Sequence, residues 1–298
     1  MKRPGPGKAS GEPDPGPPAG FSSAAGLPGR GGTWLVLGGG GLKGLAHVGA
    51  WQALVGAGVK IDGIVGTSIG ALVGALAASG MPIDQMRAHA LAVDRARVAK
   101  VNRRAVWING IRQASVFHGE TLRALYASIL PKQGWGALRV PVLFNSVDLT
   151  SGSMVWFGVG GRTDVPLADA VYASSALPVF YPPYERDGRA FVDGGMADTL
   201  PVGKAAEVGA ERIIAVDVGS GGDADARQIL RGGMIAVHQR VVTIMMAQRR
   251  RESVSEWAGP PLEYVRPRLA GYGTFDFEHI PYFLEEGRRA MQEALATT

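Results

Sequence analysis

The 298-residue chain has no cysteine. That excludes disulfide staples, thiolate metal sites and cysteine nucleophiles together, and leaves the redox compartment open. Charge is sparse. Only 19% of residues are Asp, Glu, Lys or Arg, and 31 basic against 26 acidic residues give a net +5. A nucleic-acid binder carries a denser basic stripe, so nucleic acid is not an expected partner. Aromatic residues, at 7%, are also too few to stack bases around the arginines. Lys2 and Arg3 are followed by no apolar segment of ~7–15 residues, so no secretory signal is expected and the predicted location is cytoplasmic. Residues 64–81 carry no charge, a length of 18 that would suit a membrane span. Gly66, Thr67, Ser68, Gly70, Gly74, Ser79 and Gly80 dilute that stretch, which therefore reads as a buried core helix.

What is present is core material. Hydrophobic residues make up 46% of the chain, and a fold of ~300 residues buries roughly 75% of its extended surface without staples. Residues 1–30 differ, with 7 Pro and 7 Gly. They cannot bury enough apolar surface to offset their ordering entropy, so a disordered tail is predicted there and a single domain over 31–298.

Within that domain, short apolar runs alternate with helical patterns. Strands are expected at Trp34-Leu35-Val36-Leu37, at Ile64-Val65, over 140–147 and 154–157, at Ala190-Phe191-Val192 and at Ile213-Ile214-Ala215-Val216. Helices are expected over 45–55 and 69–78, after Pro82 and Pro201, and over about 229–250 and 282–295. This alternation predicts an α/β fold with a mostly parallel central sheet flanked by helices.

Three motifs carry chemistry. Gly38-Gly39-Gly40-Gly41-Leu42-Lys43-Gly44 lies between a strand and a helix. Bare backbone N–H groups there suit a negative charge, either a dinucleotide pyrophosphate or a transient oxyanion. A dinucleotide site needs an acid at the end of the second strand. Asp62 has the spacing but precedes Ile64-Val65. Gly66-Thr67-Ser68-Ile69-Gly70 follows a strand and opens a helix, the context of a nucleophile elbow at Ser68. Phe191-Val192-Asp193-Gly194-Gly195 ends a strand in an aspartate and two glycines. Alone it reads equally well as an ordinary turn.

In this order and spacing the three motifs resemble the patatin-like phospholipases. Ala173-Ser174-Ser175-Ala176-Leu177-Pro178, Asp148-Leu149-Thr150-Ser151-Gly152 and Asp276-Phe277 extend the likeness to the bacterial branch, over residues 34–295. Gly38 stands where many members have aspartate, Lys43 where arginine is usual, and Asp198-Thr199 replaces an asparagine-rich stretch. The resemblance implies a Ser68–Asp193 dyad and an acyl-enzyme, with the amides of Gly39, Gly40 and Gly41 as oxyanion hole. Lys43, Gly44, Gly66, Gly70, Gly194 and Gly195 would support these motifs. It implies a lipid or phospholipid ester as substrate, and neither metal nor organic cofactor. A lysophospholipase or general carboxylesterase would use the same dyad. From other classes, a dinucleotide-binding oxidoreductase and a catalytically silent lipid-binding protein remain as alternatives.

A Ser-His-Asp triad is the mechanistic rival, with Asp193 or Asp217 and His238 or His279 in formal order. His238 falls within a helical pattern, and His47, one turn into the first helix, suits a polar contact. Arg249-Arg250-Arg251 is expected to end a helix and complement its dipole. Arg95, Arg97, Lys100, Arg103 and Arg104, interleaved with Val98, Val101 and Trp107, read first as a solvated basic face and, more sharply, as a peripheral contact with an anionic membrane.

Overall fold

The computed structural model describes residues 31–101, 115–219 and 224–297. The predicted tail lies outside these residues, as do Arg103, Arg104 and Trp107 of the basic run. Among the described residues, eight strands form one sheet: β1 (Thr33–Leu37), β2 (Gly63–Gly66), β3 (Val142–Asp148), β4 (Met154–Gly158), β5 (Tyr184–Arg186), β6 (Arg189–Asp193), β7 (Arg212–Val216) and β8 (Leu262–Val265). Their order is β5-β6-β3-β2-β1-β7-β8, with β4 also on β3. The run β3-β2-β1-β7-β8 is parallel throughout, whereas β4 and β6 pair antiparallel with β3.

Successive side chains of a strand leave on opposite faces, and here both faces are covered. Leu35 and Leu37 enter the larger core with Ile64, Phe144 and Ile214. Trp34 and Val36 join Val65, Leu143 and Ile213 on the other side. Hence the strands read as unbroken apolar runs. The larger core is completed by α1 (Ala46–Gly56), α2 (Ile69–Ala78), α3 (Ile83–Leu91), α4 (Arg95–Val98), α5 (Gly119–Ile129), α6 (Leu167–Ser175) and the C-terminal helix over Ile280–Thr297. On the opposite face α7 (Val202–Glu207) packs through Val202 and Ala205. All ten residues of α2 are buried, so the uncharged stretch over 64–81 is a strand, a turn and a core helix. Among the described residues, no helix is long and apolar enough to cross a membrane.

The long helix expected over 229–250 is instead two: α8 (Ala226–Arg231) and α9 (Gly233–Ser255). The break falls at Gly233, whose φ of 70° leaves the helical region. The final helix, α10, starts at Ile280.

One detail of the sheet positions the site. β3 pairs with β4 along residues 143–147, which occupies one of its edges. The other edge is shared. β2 takes its first half, ending with Gly66 opposite Phe144, and β6 arrives from the far end, stopping with Asp193 opposite Ser146. Two strands of opposite direction thus meet end to end, with Asn145 between them.

Candidate active site

At the end of β2, Thr67 N–H donates to the Leu37 carbonyl (3.0 Å), and the chain turns at Ser68 into α2. Ser68 has φ 56° and ψ −122°, a conformation that L-residues rarely adopt and that costs on the order of 1–3 kcal/mol. Neighbours fix it. The Ser68 N–H donates to Ser174 Oγ of α6 (2.9 Å), and the Ser68 carbonyl accepts from Ala71 N–H (2.9 Å). A side chain at Gly70 would strike the Leu37 carbonyl, and a Cβ at Gly66 would lie 2.6 Å from the Gly70 oxygen. Only glycine lets the turn close this tightly.

Asp193 caps the opposing strand end and is 3% exposed. Its Oδ1 accepts the Gly195 N–H (2.8 Å), and the nearby Ser68 side chain favours its ionised form. Burial is the larger influence and pushes the carboxyl up to about 6. Gly194 packs flush against Asn145, whose amide donates to the Asp198 carbonyl (2.8 Å) and ties down the loop after Asp193. The Ser146 hydroxyl sits 2.6 Å from the Val192 carbonyl and 3.1 Å from that of Ala173, between β6 and α6. Ser174, Asn145 and Ser146 were not identified from the sequence. Their roles are long-range hydrogen bonds, and only the Ser-Ser pair within the Ala173–Pro178 motif hinted at one of them.

The glycine loop lies beside Ser68, and a Cβ built on Gly39 would sit 3.6 Å from that of Ser68. Gly39, Gly40 and Gly41 line one pocket together with Ser68 and Asp193. The three amides are not equivalent, which corrects the expectation from sequence. Gly39 N–H is taken by the Thr199 carbonyl (2.9 Å), because the loop closes on the segment after β6. Gly40 and Gly41, at the mouth of the 3₁₀ turn Gly41–Leu45, have no such backbone partner among the described residues. Gly44, inside that turn, faces Ile69 with no room for a side chain. His47 Nε2 donates to the Gly38 carbonyl (2.8 Å), and complete burial lowers the imidazole to about 4, so it is a neutral brace for the loop.

Lys43 is buried beside Arg250 and Asp217, with the more exposed Arg266 near, and burial followed by the neighbouring Arg250 lowers its ammonium to about 8. Asp217, at the end of β7, pairs with Arg250 (2.8 Å) and accepts from Tyr264 Oη and Gly219 N–H. The arginine triplet therefore does not end its helix: α9 continues to Ser255, and Arg250 turns inward to the carboxylate.

The pocket is mainly apolar, with Leu42, Leu72, Leu122, Tyr126, Leu177 and Phe275 among its walls. His238 and His279 are exposed, the latter paired with Asp276, and neither lines the pocket. Asp62 accepts from Thr33 N–H, at the opposite end of β1 from the glycine loop, where no dinucleotide ribose would reach it. Among the described residues, no group of three or more His, Asp or Glu is placed to hold a metal ion.

Comparison with known proteins agrees with this architecture. An uncharacterized NTE family protein of Mycobacterium tuberculosis is 35% identical over 184 residues, covering 62% of this chain and 48% of the relative. The rat patatin-like phospholipase domain-containing protein 7 is 30% identical over 275 residues, 85% of this chain and 20% of that protein. The chain thus spans about half the length of the mycobacterial relative and a fifth of the rat one. The crystal structure of VipD from Legionella pneumophila superposes with a TM-score of 0.53 at 14% identity, covering 91% of this chain and 67% of VipD, a likeness of fold. The family description Patatin-like phospholipase matches residues 35–206, more than half of the chain and inclusive of both Ser68 and Asp193. The chain belongs to the patatin-like phospholipase family.

Proposed function

We propose that the protein is a serine hydrolase of lipid acyl esters, working through Ser68 and Asp193. The observation that carries this reading is the strained Ser68, which shares the wall of an apolar pocket with the buried carboxylate of Asp193 and favours its ionised form. With its carboxyl raised to about 6, Asp193 is ionised at neutral pH yet more basic than an ordinary carboxylate. It accepts the Ser68 proton as Oγ attacks the ester carbonyl carbon. Charge developing on the carbonyl oxygen meets the amides of Gly40 and Gly41, a contact typically worth ~10²–10³ in turnover per donor. Collapse of the tetrahedral intermediate breaks the C–O bond, and the departing alcohol takes the proton from Asp193. Water, deprotonated by Asp193, then attacks the acyl-Ser68 carbonyl, and as the C–Oγ bond breaks Asp193 returns that proton to Ser68 and the fatty acid leaves. The leucine and aromatic walls suit an acyl chain, and the family membership supports a phospholipid or lysophospholipid as its source.

A fluorophosphonate probe is expected to label Ser68, and Ser68→Ala to abolish both labelling and hydrolysis across a lipid panel followed by mass analysis. Labelling that persists in Ser68→Ala, or that maps to Ser174 or Ser175, overturns the assignment.

A further inference from the structure

Helix α9 has two faces of opposite character. Gln239, Val242, Thr243, Met246 and Arg250 recur at helical spacing and line the pocket. Met234, Val237, Val241, Ile244 and Met245 form a second stripe. At ~100° per residue it lies roughly 160° from the first. Apolar residues in this pattern normally mark the face turned to the core. Here they face outward: Met234 is 73% exposed and Met245 61%, and in all of α9 only Ala247 and Arg250 are buried. Leu230 of α8 extends the exposed apolar surface, at 71%.

The charge around this surface has one sign. Residues 226–251 contain no carboxylate and six arginines, of which Arg227, Arg231, Arg240, Arg249 and Arg251 remain once Arg250 is set aside as the buried partner of Asp217. The flanking acids are Asp225, which caps α8, and Glu252. An identical copy of this chain would meet arginines with arginines across a two-fold axis, an unfavourable arrangement. An anionic bilayer satisfies both features, taking the apolar side chains below the headgroups and the guanidinium groups among them.

We propose that the outward face of α8–α9 docks on a bilayer containing anionic lipid, so that α9 serves at once as membrane contact and as wall of the pocket. This relocates the membrane contact suggested by the sequence. In the described part of the 95–107 run, Val98 is buried, Arg95 stacks over the Phe277 ring and Val101 is the one large apolar residue exposed, while Arg103, Arg104 and Trp107 lie outside the described residues. Docking does not depend on the hydrolase reading.

The absence of cysteine permits a direct test. Met234→Cys and Val241→Cys, each in a Ser68→Ala background and checked for native folding, are labelled with an environment-sensitive fluorophore. Val55→Cys, exposed at the end of α1, serves as control. With phosphatidylcholine vesicles containing phosphatidylglycerol, labels at 234 and 241 are expected to shift to the blue and to be quenched by lipid-borne quenchers, while the label at 55 is not. Added salt weakens the response, because screening acts over ~10 Å at 0.1 M. Each arginine near an anionic surface contributes about fivefold, so Arg227→Gln with Arg231→Gln reduces partitioning on the order of tenfold or more. Equal response on pure phosphatidylcholine, equal response at position 55, or none at 234 and 241 overturns the proposal. So does a blue-shifted label without vesicles. If that shift depends on protein concentration, a second copy covers the face; if not, another segment of the chain does.

Discussion

Two aspartates in this molecule share one local design. Asp193 and Asp217 each end an apolar strand, are 3% and 2% exposed, and accept the N–H of the glycine two residues on at 2.8 Å. Their neighbours separate them. Asp217 has the Arg250 guanidinium and the Tyr264 hydroxyl against it, with Lys43 and Arg266 near. Asp193 has only the Gly195 amide and the neutral Ser68 hydroxyl to oppose its desolvation, and its carboxyl rises to about 6. A buried carboxylate with a counter-ion is a structural tie, and one without it has the raised basicity that the proposed mechanism asks of Asp193. Strand ends and glycines set the position; the partner sets the chemistry.

The sharpest break of this comparison would be in turnover. Asp193→Asn is expected to lower kcat by 10²–10⁴-fold, as removal of a general base does, while Asp217→Asn assayed below its unfolding temperature retains hydrolysis. Wild-type kcat/KM should fall as pH drops through about 6. Equal kinetic losses in two folded variants would erase the distinction.

Stability should divide the pair in the opposite sense. Asp217→Asn leaves Arg250 buried beside two other cations and is expected to cost about 3–5 kcal/mol in denaturant unfolding. Asp193→Asn should stabilise. The folded carboxyl, near 6, lies above its ordinary value of 3.8, so stability falls as pH rises through the folded value. Replacing it should add about 3 kcal/mol at pH 8, with the gain vanishing below about pH 4. A variant as unstable as Asp217→Asn would show that Asp193 also acts as a tie. The smallest effect is expected at the exposed histidines, where His238→Gln and His279→Gln leave hydrolysis within about twofold.

The elbow, the glycine loop and Asp193 were legible because each is a local pattern: glycines where backbones touch, and a polar residue at a strand end. Less accessible was anything that depends on which way a side chain turns. Arg250 looked like one more cation at a helix terminus, yet it is the counter-ion that separates Asp217 from Asp193. Gly39 looked equivalent to Gly40 until the Thr199 carbonyl took its amide. Ser174 and Ser146 act through bonds spanning 106 and 46 residues, which no short window displays. Strands β5 and β8 were missed because three- and four-residue strands carry little periodicity of their own, whereas α5 does carry it, with Leu122, Leu125, Tyr126 and Ile129 at helical spacing, and was overlooked. The outward stripe of α9 was obscured by the same rule that identified the core, since periodic apolar residues are ordinarily read as inward.

The shared edge of β3 has a consequence for how the molecule is made. Ser68 is synthesised 125 residues before Asp193 (193 − 68), and no contact local to either one brings them together. Until β6 docks head-on against the end of β2, with Asn145 as spacer, a chain can hold a formed elbow and still lack a base. Pairings across such sequence separation close late, after their loop entropy has been met. If the proposed dyad is right, ester hydrolysis should return during refolding only once β6 has docked on β3, making catalysis a clock for that pairing.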